Sequence, residues 1–358
     1  MNVPVSSPHV HAPLSVQRMM VDVMLALLPA TLFGVWLFGW PALNVLLLSI
    51  AAALASEALA LQIAGKPIAR PLTDGSAMLT GWLLALSLPP WTPWWIAVLG
   101  SAFAIFVGKH LFGGIGQNIF NPAMLARVAL LISFPVELTF WVAPHPLTSP
   151  NTPGLMESLA ITFQGVSNPD AISGATLLGQ VKTELGRGVE LGQVLPDLYN
   201  VSSIGLGTMS GSLGETSALL LLLGGLYLLA RRIITWHTPL AMLAALALLS
   251  GVMHLLDPTR YADPLYHLLS GGVMLGAFFI ATDLVTSPST PRGQLLYGAA
   301  IGALVYIIRT FGGYPEGVAF AVLIMNALTP LIDHYLRPRI YGRERSGKPL
   351  SYPQEERR

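Results

Sequence analysis

Long apolar blocks, separated by short breaks that carry proline, glycine or charge, recur along the whole chain. A bilayer core about 30 Å thick needs roughly 20 mostly apolar residues per helix, and fewer where a helix is short or broken. By that measure ten segments are candidates, near residues 19–40, 42–64, 76–90, 94–112, 121–135, 216–230, 238–256, 265–283, 294–310 and 317–336. The pattern predicts an all-α polytopic membrane protein of about ten transmembrane helices. The segments at 76–90, 121–135 and 216–230 are short, which predicts re-entrant or broken helices around a buried site. Between 136 and 215 no apolar run is sustained, and Pro, Ser, Gly and Asn are frequent. This stretch is expected to be mostly irregular, with one short helix near Leu177–Leu185. Structureless loops of such length are uncommon unless functional.

Composition supports the membrane reading. Of the 358 residues, 53% are hydrophobic and only 10% charged, whereas soluble domains carry about 25% charged residues. There are no cysteines, so disulfides, thiolate nucleophiles and cysteine-ligated iron–sulfur clusters are excluded. Any redox chemistry must come from a bound cofactor. Val23 to Trp40 is too long an apolar run for a signal-peptide core and has no small-residue cleavage site after it.

The net charge of +1 hides an asymmetry, because Arg337, Arg339, Arg343, Arg345, Lys348, Arg357 and Arg358 crowd the C-terminal tail. Basic tails after a last span mark the cytoplasmic side more often than a nucleic-acid contact. Ten spans then put both termini in the cytoplasm of a multi-pass bacterial inner-membrane protein, surrounded by lipid. Arg18, Lys66, Arg70, Lys109, Arg231, Arg232 and Arg292 fall on the same side, whereas Lys182, Arg187, Arg260 and Arg309 fall outside. Trp91, Trp94 and Trp95 are placed at the outer interface, where indoles are favoured. The expected organisation is a cytoplasmic N-terminus (1–18), a first five-helix unit (19–135), a periplasmic loop (136–215), a second five-helix unit (216–336) and a basic tail (337–358).

Residues 76–135 and 272–332 resemble each other in order. Met78-Leu79 matches Met274-Leu275, and Phe112-Gly113-Gly114 matches Phe311-Gly312-Gly313. A unit of five spans would insert its second copy upside down, so the two units are expected to be inverted repeats with a functional site where interrupted helices meet. The plainer alternative is that Gly and Ala recur wherever membrane helices pack closely.

The sharpest local signal is Asp170-Ala171-Ile172-Ser173-Gly174-Ala175-Thr176 in the long loop. Gly174 and Ala175 are expected to leave the Thr176 hydroxyl uncrowded and open to a modifying enzyme, although Ser, Gly, Ala and Thr are also ordinary turn residues. Ionisable groups in or near spans are Asp22, Glu57, Lys109, Arg127, Asp283, Arg309 and Asp333. Charge at membrane depth is costly and faces a cavity or a partner. Glu57 and Asp283 are the candidates for ion coupling, against the alternative of interface salt bridges or snorkelling ends. Asn118 and Asn121 are candidates for hydrogen bonds between helices. His110, His237, His254 and His267 show no paired metal-ligand spacing, and no metal site is assigned.

Several stretches together carry a family resemblance: Thr73-Asp74-Gly75-Ser76-Ala77, Leu88-Pro89-Pro90, Gly113-Gly114-Ile115-Gly116-Gln117-Asn118, Phe120-Asn121-Pro122-Ala123-Met124, His267-Leu268-Leu269-Ser270-Gly271 and Phe311 through Phe320. From about Met19 to Gly342 the chain resembles the NqrB/RnfD family of membrane subunits of ion-translocating oxidoreductases. The resemblance implies FMN held by a phosphoester bond to the threonine of an Asp-x-x-Ser/Thr-Gly-Ala-Thr motif and installed by a separate flavin transferase. Thr176 matches that threonine and Asp170 the acidic residue, with Ser173, Gly174 and Ala175 between them. It further implies a second flavinylated subunit, iron–sulfur subunits and two small membrane subunits as partners. Electrons would pass between ferredoxin and NAD, coupled to Na+ or H+ movement. The chain would be part of an enzyme complex and not catalytic alone. A non-covalent riboflavin in the membrane part is compatible with the resemblance, but no residue identifies its site. Lys109 and Arg309, beside the twin glycines, would favour an anionic or reduced flavin, or else anchor the topology. The competing functions are a solute channel or transporter built on the same repeat, and a scaffold subunit without a cofactor.

Overall fold

The computed structural model describes residues 15–150, 152–165, 173–198, 205–337, 342 and 348. Asp170 and most of the basic tail lie outside the described residues. The first part of the chain forms α1 (Val16–Phe38), α2 (Trp40–Ile63), the single turn α3 (Ala69–Leu72), α4 (Ser76–Ser87), α5 (Trp94–Phe106) and α6 (Pro122–Ser133). A 3-10 turn, His110–Phe112, follows α5. The last part forms α11 (Ala218–Ala230), α12 (His237–Leu256), α13 (Pro264–Leu269), α14 (Val273–Leu275), α15 (Pro291–Phe311) and α16 (Val318–Tyr335). A π-helical turn, Gly276–Ile280, prolongs α14.

Six of these segments are long and apolar enough to cross a membrane: α1, α2, α5 with its 3-10 turn, α12, α15 and α16. Three shorter apolar helices, α4, α6 and α11, stand among them. The chain is therefore an all-α polytopic membrane protein. Large apolar side chains such as Leu32, Leu47, Leu59, Leu99 and Leu248 remain exposed on the helix surfaces, as expected where the surrounding medium is itself apolar.

The break expected in the short segments lies elsewhere. The helices α4, α6 and α11 are short but continuous, and the interruption falls in the 265–283 segment, between α13 and α14. Its cause is local. Gly271 has φ +66, and a Cβ there would collide with the Glu316 carboxylate. A glycine is needed for both reasons.

The long loop is also more ordered than its composition suggested. It holds α7 (Pro135–Thr139), α8 (Leu155–Gln164), α9 (Leu177–Gly186), α10 (Leu191–Leu198) and a 3-10 turn, Leu213–Glu215. Strands β1 (Trp141–Val142) and β2 (Ser173–Gly174) pair antiparallel, Trp141 opposite Gly174 and Val142 opposite Ser173. Trp91, expected at an interface, is buried beneath this loop against Val142 and Ile161, and its indole N–H donates to the Phe38 carbonyl at 3.1 Å. Trp94 does remain exposed, at 40%.

Close helix pairs rest on small residues. In α15, Gly298 and Gly302 face α12, where added Cβ atoms would meet the Thr238 and Met242 carbonyl oxygens. Helix backbones approach this closely only when the intervening side chains are absent. Replacing Gly302 with Leu should separate α12 from α15 at an overpacking cost of about 1–3 kcal/mol. A lowered thermal unfolding midpoint of the detergent-solubilised chain is the check.

Candidate functional site

Charged side chains buried among these helices form two clusters, one near each twin glycine. At the first, Lys109 Nζ lies 2.8 Å from Glu57 Oε1 and donates to Ser76 Oγ at 2.8 Å. Glu57 and Lys109 are 1% and 3% exposed. His110 Nε2 stands 2.9 Å from Glu57 Oε2, without hydrogen-bond alignment. Ser76 opens α4, and Asp74 accepts from both its backbone N–H and its hydroxyl. Lys109 therefore ties α2 to the start of α4. It is a buried ion-pair partner, and His110, by its spacing a lone interfacial ring, belongs to the same cluster.

At the second cluster, Arg309 donates to Glu316 Oε2 at 2.7 Å and to the carbonyls of His267 and Ser270 at 2.8 and 2.9 Å. Those carbonyls end α13. Glu316 also accepts from the backbone N–H groups of Gly272, Gly317 and Val318, so it serves the start of α14 and of α16. One ion pair thus satisfies polar backbone on both sides of the break, as irregular backbone buried in an apolar protein requires. Arg127 in α6 is buried close by and is attracted by Glu215 and Glu316. Burial, followed by the like charge of Glu316, holds the Glu215 carboxyl above the ordinary carboxylate range.

The candidate modification site lies over this second cluster. Thr176 is the N-cap of α9, its hydroxyl oxygen accepting from the Gly179 N–H at 3.1 Å. The residue is 9% exposed, so the hydroxyl expected to be uncrowded is instead engaged in a cap. A capping oxygen satisfies a helix N–H that would otherwise lack a partner, which draws it inward. Upstream, β2 fixes Ser173 and Gly174. A Cβ on Gly174 would stand 2.9 Å from Ser210 Oγ, so a larger residue would push this neighbour aside. Ala175 is exposed. Downstream, Lys182 Nζ donates to the carbonyls of Arg309, Gly312 and Tyr314, at 3.1, 2.5 and 3.0 Å. Partial burial lowers the Lys182 pKa from its ordinary value, while two of its acceptors, the Arg309 and Gly312 carbonyls, lie at the C-terminal end of α15, where a cation is favoured, and the third, that of Tyr314, lies just beyond it. Nothing in the sequence points to Lys182, which reads there only as an external charge.

Asp283 is held by local donors, the Val285 N–H at 3.2 Å and the Thr286 hydroxyl at 3.2 Å, and by Asn121 Nδ2 of α6 at 3.4 Å. Among the described residues no ion pair reaches it. Asp283 and Lys109 line one cavity of about 100 Å3, together with Asn118, Asn121 and Ser76. The two ion-coupling candidates are thus joined only indirectly, through Lys109. Asn121 bonds across helices as expected and also caps α6, whereas Asn118 donates to the neighbouring Phe120 carbonyl. Asp22 pairs with Arg231 at 3.2 Å, and Asp333 accepts from Ser289. No group of His, Asp or Glu able to hold a metal occurs among the described residues.

Residues 3–342 match the NQR2, RnfD, RnfE family. The chain belongs to that family. It is similar to proteins named as a subunit of an ion-translocating oxidoreductase complex. That of Halorhodospira halophila is 55% identical over 351 residues, 98% of each chain. That of Stutzerimonas stutzeri is 56% identical over 336 residues, 94% of this chain and 95% of the relative. That of Rhodobacter capsulatus is 50% identical over 308 residues, 86% of each.

Two outcomes follow from the geometry. Lys109→Met leaves the Glu57 carboxylate buried without its cation and should destabilise the fold by about 3–5 kcal/mol. Adding Glu57→Gln should recover part of that loss, and a double-mutant cycle on unfolding midpoints measures the coupling. Lys182→Met removes the tie between α9 and α15, and faster limited proteolysis between residues 173 and 198 is expected.

Proposed function

We propose that this chain is the membrane subunit of an ion-translocating oxidoreductase complex and relays electrons through FMN esterified to Thr176. The names of its relatives support the place in a complex. The observation that carries the cofactor assignment is the position of Thr176 at the N-terminus of the ten-residue helix α9. A phosphodiester there keeps one negative charge, and a helix N-terminus stabilises such a charge by about 0.3–1 kcal/mol. The fit is good at the oxygen itself, since an ester oxygen still faces the Gly179 N–H. The cap also means that a flavin transferase must reach Thr176 before α9 docks, or when it lifts. When bound, the flavin supplies one- or two-electron transfer, joining iron–sulfur chains to hydride chemistry. This chain's residues position it: β2 and Lys182 hold the two ends of the segment. A covalent link replaces a binding equilibrium with a permanent local concentration.

The same reading takes the membrane part as two inverted five-helix units, α1, α2, α4, α5, α6 and α11, α12, α13–α14, α15, α16. What supports it is correspondence of parts. Lys109 and Arg309 each sit at the end of a long helix and reach the start or break of a short one. Related helices also pack on each other, α1 on α11 and α6 on α16. The termini are assigned to the cytoplasm and the Thr176 loop to the periplasm of the inner membrane. Ferredoxin and NAD are the terminal couples, with iron–sulfur, second flavinylated and small membrane subunits as partners. For coupling to Na+ or H+, Asp283 is favoured over Glu57, whose carboxylate is committed to Lys109. The cavity between Lys109 and Asp283 is where an ion or part of a riboflavin would meet this chain.

Denaturing gels of the chain co-produced with its transferase test the central assignment. Flavin fluorescence is expected at the native band and should be lost in Thr176→Ala. Mass spectrometry of the peptide spanning Asp170 to Lys182 should find the mass of one esterified FMN. A dark, unmodified native chain removes the redox role of this loop.

A further inference from the structure

The loop helix α8 (Leu155–Gln164) is turned the opposite way from a helix on a water-soluble protein. Its hydroxyls face inward: Ser158 and Thr162 are buried, and Asn44 Nδ2 of α2 donates to both, at 3.3 and 3.2 Å. Ile161, on the same side, packs with Trp91 and Val142. The large apolar side chains face outward, with Leu155, Leu159 and Phe163 exposed and Met156 79% exposed. At 3.6 residues per turn these four fall within an arc of about 100°, beside the buried one. Glu157 and Gln164 are exposed as well, and they share a third face, about 80–100° beyond Met156. The helix therefore has three sides, one against the protein, one apolar and one polar.

An exposed apolar patch of this kind marks a partner, and the surroundings of α8 say which. We infer that α8 lies in the plane of the membrane–water interface on the side of the Thr176 loop, with its apolar side in the lipid acyl region and Glu157 and Gln164 toward the headgroups and water. A polar strip running beside an apolar one is the pattern of helices that lie in an interface. Length agrees with it: ten residues rise about 15 Å, half of a hydrocarbon core about 30 Å thick, so α8 is too short to cross. The neighbouring surface is continuous with it and equally apolar. Leu47 of α2, one turn beyond Asn44, is 56% exposed. The Phe163 ring stands 6.1 Å from that of Trp94, which opens α5 and is itself exposed. An indole at the start of a spanning helix is favoured at the interface. Asn44 fixes the orientation, because its amide holds both hydroxyls of α8 against α2 and so turns the polar atoms away from lipid. Strand β1 precedes α8 and β2 follows it. The anchor thus secures the strand pair that leads into Thr176.

The test exploits the absence of cysteine from the chain. Met156→Cys, Leu159→Cys, Glu157→Cys and Gln164→Cys are made singly in the full chain, spin-labelled and reconstituted in liposomes. All four side chains are exposed, so the contact with Asn44 is untouched. Collision of each label with oxygen, which concentrates in lipid, is compared with its collision with a water-soluble nickel chelate. The oxygen-to-nickel ratio is expected to be several-fold higher at Met156 and Leu159 than at Glu157 and Gln164. A low ratio at all four positions places both sides in water and overturns the inference. A high ratio at all four places the polar side in lipid and does the same, as does protection of Met156 and Leu159 from both reagents, the mark of a protein cover. In native membranes a benzophenone amino acid in place of Leu159 should crosslink to phospholipid, read as a mass increase on the peptide that holds it. A missing lipid adduct, or a crosslink to another protein chain in its place, also overturns the inference.

Discussion

A backbone that breaks within apolar surroundings leaves carbonyl and N–H groups that water cannot reach, and each costs several kcal/mol unless a partner is supplied. In this chain the partners are cations bound to carboxylates. Arg309 covers the carbonyls that end α13, and Glu316 covers the N–H groups that open α14 and α16. Lys109 binds the Ser76 hydroxyl at the start of α4, with Glu57 as its counter-ion, while Asp74 accepts from the Ser76 backbone N–H. Without the Arg309–Glu316 pair the backbone groups on either side of the break would lose these partners. A single charge removed from either would leave its partner stranded, so each pair behaves as a unit.

The loop between the helical parts depends on the second of these clusters. Lys182 binds the carbonyls at the end of α15, including that of Arg309 itself, and Leu178 lies against Gly271. The short pairing of β1 with β2 fixes the other end of the segment. Thr176 is held between these two attachments. The segment around Thr176 is thus placed in part by the residues that stabilise the helix break.

Much of the arrangement was legible in the residues. The apolar blocks located the helices to within a few positions, and the helix at 177–186 was expected one residue shorter. Thr176 stood out through its motif. The motif said nothing of the hydroxyl's environment, because a cap depends on backbone conformation that Ser, Gly, Ala and Thr allow without requiring. Lys182 was invisible for a related reason: its acceptors are carbonyls more than a hundred residues away, and every residue has a carbonyl.

The sequence by itself determined that this is an apolar, cysteine-free chain of membrane helices, that glycine pairs follow Lys109-His110-Leu111-Phe112 and Thr310-Phe311, and that the long connection carries a distinctive threonine. Those properties follow from residue type and spacing, which transfer energies and local sterics act on directly. Only the tertiary structure decided which short segment is interrupted, which charges are paired, and that Trp91 and Thr176 face inward. Pairing and burial are set by what another part of the chain brings to the same place, and no local pattern records that.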